Sequence, residues 1–133
     1  MTPGEPSQVS SKGVVLIVDD DPEIRDALRD TLEWKGYGVV EASDGSDAIA
    51  YLTAHSPPRA ILLDLFMPAM DGWQCFNRIR SLPQLALIPV FVVTATGPRW
   101  GYPKAPVFRK PVDVPRLLQA LAELPAAGIS TAC

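Results

Sequence analysis

The sequence predicts an α/β fold in which a parallel β-sheet carries helices on both faces. Two observations support this prediction: short, continuous apolar runs recur along the chain, and segments with helical periodicity separate them. Continuous apolar runs are typical of strands that are covered on both faces, and strands that alternate with helices form parallel βαβ units. Five such strands in a chain of 133 residues suit one small, doubly wound domain.

The first half of the chain contributes two strands and two helices. The β-branched run at residues 14–18 predicts the first strand, "YGVVEA" predicts the second, and "DGSDAIAYLTAH" predicts a short helix. Asp21 stands before Pro22, a residue type favoured at the first helical position, so Asp21 is predicted to be the N-cap of the first helix. The glycines of "KGYG" end that helix. Its apolar residues at helical spacing are Ile24, Ala27, Leu28 and Leu32.

The second half of the chain contributes three further strands, predicted from the runs "AILLDL", "IPVFVVTA" and "PVFRKP". Asp71 is predicted to start the helix between the first two of these strands, and Asp113 to cap the last helix. The apolar residues that form one face of each helix are Trp73, Phe76 and Ile79 in the former, and Val114, Leu117, Leu118, Leu121 and Leu124 in the latter.

Composition and charge exclude several classes of protein. Hydrophobic residues make up 47% and charged residues 20% of the chain, as in ordinary globular domains. The net charge of −3 argues against a non-specific nucleic-acid binder, which is normally basic. The two cysteines, Cys75 and Cys133, and the single histidine, His55, provide neither a disulfide framework nor a zinc-binding pattern.

The two ends of the chain differ in composition from its centre. Residues 1–12 are rich in proline, serine and charge and lack the apolar segment of a secretory signal, so we expect a disordered N-terminal lead. Residues 13–124 are predicted to form the folded domain, and residues 125–133 a flexible tail. No apolar run approaches the ~18 residues of a membrane span, so we expect no membrane insertion. Because the chain lacks both a secretory signal and a disulfide framework, we expect a cytoplasmic location.

Polar residues that a core does not need lie at the ends of four predicted strands: Asp19, Asp20, Asp64, Thr94 and Lys110. The carboxyl ends of parallel strands share one edge of the sheet, so we expect these side chains to converge. Clustered carboxylates repel one another unless a cation lies between them, and hard oxygen ligands suit Mg²⁺. A carboxylate beside Mg²⁺ can be a nucleophile toward phosphorus, with an ammonium and a hydroxyl contacting the phosphoryl group.

Four motifs carry a resemblance to a known family. The segments "VLIVDDDPEIR", "ILLDLFMPAMDG", "PVFVVTA" and "FRKP" resemble, in the same order, those of the receiver domains of two-component response regulators. The resemblance covers nearly the whole chain, about residues 13–124. The resemblance implies a flavodoxin-like sheet with strand order 2-1-3-4-5. It also implies that Asp64 accepts a phosphoryl group from a histidine of a sensor histidine kinase or a histidine phosphotransfer protein.

The resemblance also assigns the metal ligands. Asp20 and Asp64 would bind Mg²⁺ directly, Asp19 would hold it mainly through water, and the main-chain carbonyl of Phe66 would be a further ligand. Phe66 carries a second expectation: a bulky apolar side chain two residues after the phosphorylated aspartate would hinder the attacking water and lengthen the lifetime of the phosphorylated form.

The resemblance also implies which residues contact or accommodate the phosphoryl group. Lys110 would contact the phosphoryl oxygens, Thr94 would donate a hydrogen bond and move toward the group on activation, and the small side chain of Ala95 would leave room for it. The Lys110–Pro111 peptide bond would be cis.

The chain departs from the family pattern between Thr94 and Lys110. The fifteen intervening residues include two glycines and three prolines, so we expect the fourth helix of the family to be absent or reduced to about one turn. Val107 stands where the family usually has Tyr or Phe, and strand alternation points the adjacent Phe108 to the opposite face. Trp100 and Tyr102 in this segment are candidates for partner contact; alternatively, Trp100 covers core that the missing helix leaves bare.

Three functions are compatible with these features to different degrees. The first is a stand-alone phosphorylated receiver: only nine residues follow Leu124, so we expect signalling to an unknown protein target by protein contact, without direct nucleic-acid binding. It would turn over no separate substrate. The second is a phosphorylation-independent interaction module on the same scaffold, which the altered segment favours. The third, a phosphatase of the haloacid dehalogenase type, requires a second aspartate where Phe66 stands.

Overall fold

The computed structural model describes residues 12–67, 71–95 and 104–125, and their strands form one five-stranded parallel sheet. The sheet order is β2-β1-β3-β4-β5. This confirms the predicted fold class and strand order. The elements in chain order are β1 (Val14–Val18), α1 (Pro22–Trp34), β2 (Gly38–Ala42), α2 (Gly45–Ala54), β3 (Ala60–Asp64), α3 (Gly72–Ser81), β4 (Val90–Thr94), β5 (Val107–Arg109) and α4 (Val114–Ala122).

The sheet separates two apolar cores. Successive strand side chains point to opposite faces, so each internal strand contributes to both cores, which is why its sequence is a continuous apolar run. One core joins the sheet to α2 and α3, and it includes Leu16, Val18, Val40, Leu52, Leu63 and Ile79. The other joins the sheet to α1 and α4, and it includes Val15, Ile17, Leu32, Val39, Phe108 and Leu121.

Each of the four helices in the described part of the chain begins at an aspartate. In every case the carboxylate accepts a hydrogen bond from a main-chain N–H of the first turn, which satisfies a donor that the helix itself leaves unpaired. The predictions for Asp21, Asp71 and Asp113 are therefore confirmed. The donor and cap pairs are Glu23 to Asp21, Asp47 to Asp44, Gln74 to Asp71, and Arg116 to Asp113.

The buried helix faces are narrower than the apolar spacing alone indicates. Ala27 is exposed although it lies on the apolar face of α1, and Trp73 is only half-buried at the start of α3. In α4, Leu117 and Leu121 are buried, while Leu118 at the edge of that stripe is half-buried. Periodicity identifies the side of a helix that faces the sheet, but the extent of the packed surface depends on neighbouring elements.

No described residue between β4 and β5, that is residue 95 or residues 104–106, is helical. This agrees with the predicted loss or shortening of a helix at that position. Residues 96–103, including Trp100 and Tyr102, lie outside the described residues, as do the segments 1–11 and 126–133. Among the described helices, none has the length and apolarity that crossing a bilayer requires.

Arg59 fastens the carboxyl end of α4 to the start of β3. Its guanidinium donates hydrogen bonds to the main-chain carbonyls of Leu121 (3.2 Å), Leu124 (2.9 Å) and Pro125 (2.7 Å). The last carbonyls of a helix have no partner within the helix, and a planar guanidinium can satisfy several at once. This contact connects residues that are more than sixty positions apart in the chain.

Replacing Arg59 with alanine should lower the free energy of unfolding by about 1–3 kcal/mol, because two part-buried carbonyls, those of Leu121 and Leu124, and the exposed carbonyl of Pro125 lose a charged donor. Urea denaturation followed by circular dichroism measures the change. Arg78→Ala, which removes an exposed cation from α3, is the matched control and should change stability by less than about 0.5 kcal/mol. Equal stabilities for the two variants would contradict the role of Arg59.

Candidate functional site

Three carboxylates meet at the carboxyl edge of the sheet. Asp19 directly follows β1, Asp20 follows Asp19, and Asp64 is the last residue of β3. Because β1 and β3 are parallel neighbours, their ends lie side by side. Carboxylate oxygens of the three residues lie within 4.8 Å of one another. Asp19 and Asp64 are buried, and Asp20 is exposed.

Lys110 reaches the same place from the far edge of the sheet. Its main-chain N–H donates to the carbonyl of Thr94 (2.7 Å), which extends the pairing of β4 and β5 by one residue. Its Nζ lies 2.8 Å from Oδ2 of Asp19 and 3.6 Å from Oδ2 of Asp64. The Lys110–Pro111 peptide bond is cis. The structure thus brings together four of the polar strand-end residues that the sequence singles out.

Every polar group of Asp19 has a partner. Its main-chain N–H donates to the carbonyl of Ala42 (3.1 Å), and its own carbonyl accepts from the guanidinium of Arg25 (2.5 Å). In the side chain, Oδ1 accepts from the N–H of Asp21 (2.9 Å), and Oδ2 accepts from Lys110. These hydrogen bonds hold Asp19, at the end of β1, in a defined position relative to β2, α1 and the end of β5.

Burial raises the pKa of Asp64 above its ordinary value. The N–H of Phe66, which donates to Oδ1 of Asp64 (3.1 Å), lowers this pKa, whereas the negative charge of Asp19 raises it. The charge of Lys110 lowers it again, and that of Asp20 raises it slightly further. The net upward shift is due chiefly to burial; among the charges, those of Asp19 and Asp20 together outweigh that of Lys110, so a further cation would favour the ionised form of Asp64.

Lys110 remains a cation in these surroundings. Burial lowers its pKa, but the hydrogen bond from its ammonium to Asp19 and the negative charges of Asp64 and Asp19 outweigh that effect, and the net shift is upward. A permanently charged ammonium beside Asp64 is what the transfer of a phosphoryl group requires, because negative charge develops on the oxygens of that group.

The carboxylates open into a pocket of about 470 Å³. Phe66 and Ala95 line it beside them, so two further residues singled out by the sequence lie at the site. Thr94 is fully buried at the end of β4, directly before Ala95, and it is not among the residues that line the pocket. The site residues on the wall are Asp19, Asp20, Asp64, Phe66, Ala95 and Lys110.

A second groove, of about 490 Å³, adjoins this pocket. It runs between α1 and the segment that leads from β5 into α4, and its lining is mostly apolar. Ile24 and Lys110 line both the groove and the acidic pocket, so the two are neighbours. The exposed Ala27, which does not contribute to the core, is part of this groove.

Gly72 is a site residue that the sequence predictions missed. A Cβ atom at this position would lie 2.3 Å from both the carbonyl oxygen of Asp64 and the Cα of Leu65, so no side chain fits. Its N–H donates to the carbonyl of Leu65 (3.0 Å), and α3 therefore begins directly against the end of β3. Within the sequence, the Asp71–Gly72 pair indicates only a turn and a helix start, because the close approach depends on how α3 packs against the end of β3.

The donor set fits a small, hard divalent cation. Three carboxylates supply oxygen ligands at one point, and Mg²⁺ prefers such oxygens while it keeps several waters. Burial and the neighbouring carboxylates raise the pKa of Asp64, and a bound cation would counter both effects by favouring the ionised form. The acidic cluster could thus hold a metal ion with Lys110 at its side.

Comparison with known proteins identifies a family. Residues 15–100 match the model of the response regulator receiver domain. The DNA-binding dual master transcriptional regulator RpaA of Synechocystis is 42% identical over 83 residues, which cover 62% of this chain and 34% of that protein. Response regulator MprA of Mycobacterium sp. strain KMS is 40% identical over 81 residues, again 34% of its length. The match thus spans about a third of each of these two relatives.

Solved structures of receiver domains have the same fold. The chemotaxis protein CheY4 of Vibrio cholerae superposes with a TM-score of 0.77 at 27% identity, covering 86% of this chain and 100% of that one. The N-terminal domain of a response regulator receiver protein from Methanoculleus marisnigri JR1 superposes with a TM-score of 0.71 at 32% identity, covering 86% and 97%.

Mg²⁺ should raise the melting temperature of the chain, and Asp20→Ala should remove most of that increase. A ligand at a hundredfold excess over its dissociation constant stabilises the folded state by about 2.7 kcal/mol, which is roughly 10 °C for a domain of this size. Without Mg²⁺ the variant should melt no lower than the wild type, because a repelling charge is gone.

Differential scanning calorimetry with and without Mg²⁺ measures both effects. Asp30→Ala, which removes an exposed carboxylate from α1, is the control and should keep the full Mg²⁺-dependent increase. An unchanged increase in Asp20→Ala would place the metal elsewhere.

Proposed function

Because the chain belongs to the family of response regulator receiver domains, we propose that Asp64 accepts a phosphoryl group from a phosphohistidine of a partner protein in a Mg²⁺-dependent reaction. Response regulator receivers interact with histidine kinases or phosphotransfer proteins, and the donor would be one of these. The observation that supports the proposal most directly is the position of Lys110, whose ammonium lies between Asp19 and Asp64 at the edge of the acidic cluster.

The transfer requires an ionised nucleophile. A carboxylate oxygen of Asp64 would form a bond to phosphorus while the bond between phosphorus and the histidine nitrogen breaks and its electron pair stays on the nitrogen. The imidazole then leaves as the neutral base if its other ring nitrogen carries a proton, and otherwise takes up a proton from solvent. Lys110 and the N–H of Phe66 both favour the ionised form of Asp64 against the effect of burial. The product is an aspartyl phosphate on Asp64.

Mg²⁺, when bound by Asp20 and Asp64, by Asp19 through water and by the carbonyl of Phe66, would supply positive charge to the phosphoryl oxygens. The ammonium of Lys110 would contact the same oxygens from the other side, since it already lies within 3.6 Å of Asp64. These roles of the metal ligands and of Lys110 are part of the proposal, and the positions of the side chains in the acidic cluster support them.

Two residues at the end of β4 would accommodate the transferred group. Ala95 lines the pocket with the smallest side chain that a chiral residue can have, which leaves space for a phosphoryl group beside Asp64. Thr94 would donate a hydrogen bond to that group. Its position supports this role, because it directly precedes Ala95 and its carbonyl binds the N–H of Lys110.

The apolar groove beside the site suits the approach of the donor protein. A phosphohistidine must reach Asp64 through the acidic pocket, and the groove between α1 and the start of α4 adjoins that pocket at Ile24 and Lys110. Contact with the exposed Ala27 and with Val112 would bury apolar surface while the histidine enters.

Output would occur by protein contact, and the domain would catalyse only its own phosphorylation and dephosphorylation. Phosphorylation-independent interaction is the alternative, and one observation favours it. Val107 is half-buried at the position expected for a switch aromatic, and Phe108 is buried on the opposite face against Phe91 (5.6 Å between ring centroids). A coupled motion of Thr94 and an aromatic ring in β5 therefore lacks its usual second residue.

A small-molecule phosphodonor distinguishes these two functions. Acetyl phosphate with Mg²⁺ should add one phosphoryl group to the wild type, detected by intact mass, and beryllofluoride should change the tryptophan fluorescence. Asp64→Asn should give neither response because it lacks the nucleophile. Asp30→Asn, an exposed aspartate of α1, should behave as the wild type. An identical response of wild type and Asp64→Asn would favour the phosphorylation-independent module.

The lifetime of the phosphorylated form should depend on Phe66. This side chain is 51% exposed, lines the acidic pocket and contacts Trp73 edge-on (5.2 Å between ring centroids), so it covers one approach to Asp64. Replacement by asparagine should admit water and speed dephosphorylation by roughly three- to tenfold, equivalent to about 1 kcal/mol of barrier.

The rate can be followed by intact mass after removal of acetyl phosphate. Leu87→Asn, at a 91% exposed position in the connection between α3 and β4, is the control and should leave the rate unchanged. Equal dephosphorylation rates for wild type and Phe66→Asn would refute the shielding role.

A further inference from the structure

A charged residue lies on a face of the sheet that is otherwise apolar. Glu41 in β2 pairs in register with Ile17 of β1, and strand alternation places it on the same face as Val39, under α1. Its side chain is only 17% exposed. A carboxylate removed from water costs free energy unless it is paired, so the partners of Glu41 indicate why it is there.

Two arginines of α1 bind the two oxygens of this carboxylate. Nε of Arg25 lies 3.0 Å from Oε1 of Glu41, and a terminal nitrogen of Arg29 lies 2.5 Å from Oε2. The arginines are four residues apart on one helix face, and the glutamate between them offsets their mutual repulsion. Arg25 also uses a second nitrogen, because its Nη1 donates to the main-chain carbonyl of Asp19.

The acceptor of that hydrogen bond belongs to the peptide unit that joins Asp19 to Asp20. A peptide unit is planar, so a fixed carbonyl oxygen sets the direction in which the chain enters Asp20. The carboxylate of Asp19 is held separately, by the N–H of Asp21 and by Lys110. The side chain of Asp20 is exposed, and its position therefore depends strongly on the peptide before it.

We propose that Arg25, oriented by Glu41, is a positioning residue for the metal site, because it sets the Asp19–Asp20 peptide so that both carboxylates face one cation. The inference rests on the proposed Mg²⁺-dependent function and extends it to two residues outside the acidic pocket. A guanidinium suits this position since its rigid fork of donors binds a carboxylate and a carbonyl at once, which a single ammonium does less well.

The test is the Mg²⁺ affinity of the full chain, measured by isothermal titration calorimetry. Residues that orient metal ligands typically change metal affinity ten- to a hundredfold when they are replaced. Arg25→Gln should therefore raise the dissociation constant for Mg²⁺ by about tenfold or more. Glu41→Gln should act in the same direction with a smaller effect. The double variant should bind Mg²⁺ no more weakly than Arg25→Gln alone, because Glu41 acts through Arg25.

Arg80 provides a matched control. It is half-buried, and its guanidinium also donates to main-chain carbonyls, those of Ala86 (3.0 Å) and Ile88 (2.9 Å), at the opposite edge of the sheet. Arg80→Gln should lower the melting temperature of the metal-free protein and leave the Mg²⁺ affinity unchanged. Arg25→Lys keeps the charge without the fork, and it should bind Mg²⁺ nearly as weakly as Arg25→Gln.

The outcomes separate this inference from the proposed function. Wild-type Mg²⁺ affinity in Arg25→Gln, or an equal loss of affinity in Arg80→Gln, would overturn the positioning role alone. Mg²⁺ binding that depends on Arg25, in a chain that accepts no phosphoryl group from acetyl phosphate, would support the positioning role and overturn the proposed transfer. A wild-type chain that binds no Mg²⁺ would overturn both.

Discussion

Electrostatic repulsion among three carboxylates is the constraint on which the architecture of this site depends. Asp19, Asp20 and Asp64 lie within 4.8 Å of one another, and two of them are buried. At an effective dielectric constant near 20, two such charges repel by about 3 kcal/mol. Lys110 offsets part of this repulsion, because its ammonium extends from the far edge of the sheet to Asp19 and Asp64. At Asp64, Lys110 offsets the charges of Asp19 and Asp20 only in part, and burial also opposes the ionised form, which leaves the site receptive to a cation.

Parallel sheet topology makes this arrangement possible. Because α1 and α4 cover one face of the sheet and α2 and α3 cover the other, the strand interiors are almost entirely apolar, and the charged residues of the site gather where the strands end. All strands run in one direction, and their carboxyl ends form a single edge. The close approach of Gly72 to Asp64 and Leu65 starts α3 directly against the end of β3, and Trp73 at that start contacts Phe66, which lines the pocket.

Asp19 connects the electrostatics of the site to the packing of the domain. Its four polar groups bind four residues, Asp21, Arg25, Ala42 and Lys110, which belong to α1 and its cap, to β2 and to the end of β5. Through Arg25 the contact continues to Glu41 on the α1-covered face of the sheet. The buried carboxylate of Asp19 therefore does more than form an ion pair with Lys110. Its contacts also orient the segment that carries Asp19 and Asp20, two of the three carboxylates of the site.

The residue pattern was sufficient to predict much of this structure. Continuous apolar runs predicted the five strands, and an aspartate before a helical segment predicted three of the four caps, because both signals arise within a few residues of the chain. The convergence of Asp19, Asp20, Asp64 and Lys110 followed from the parallel topology once the strands were placed. Ala27, by contrast, lies on the predicted apolar face and is exposed, since periodicity does not specify where a packed surface ends.

The sequence by itself determined the fold class, the strand ends and the kind of chemistry that gathers there, because local periodicity and the order of strands carry that information. Only the tertiary structure decided how the site is held. Gly72 is required because the main chain of Asp64 passes within 2.3 Å of where its Cβ would lie, and nothing near Gly72 in the sequence reports that approach. Glu41 and Arg25, sixteen residues apart, become partners only when α1 packs across β2. Both contacts depend on how elements approach one another in space, which is the part of the information that short sequence patterns do not contain.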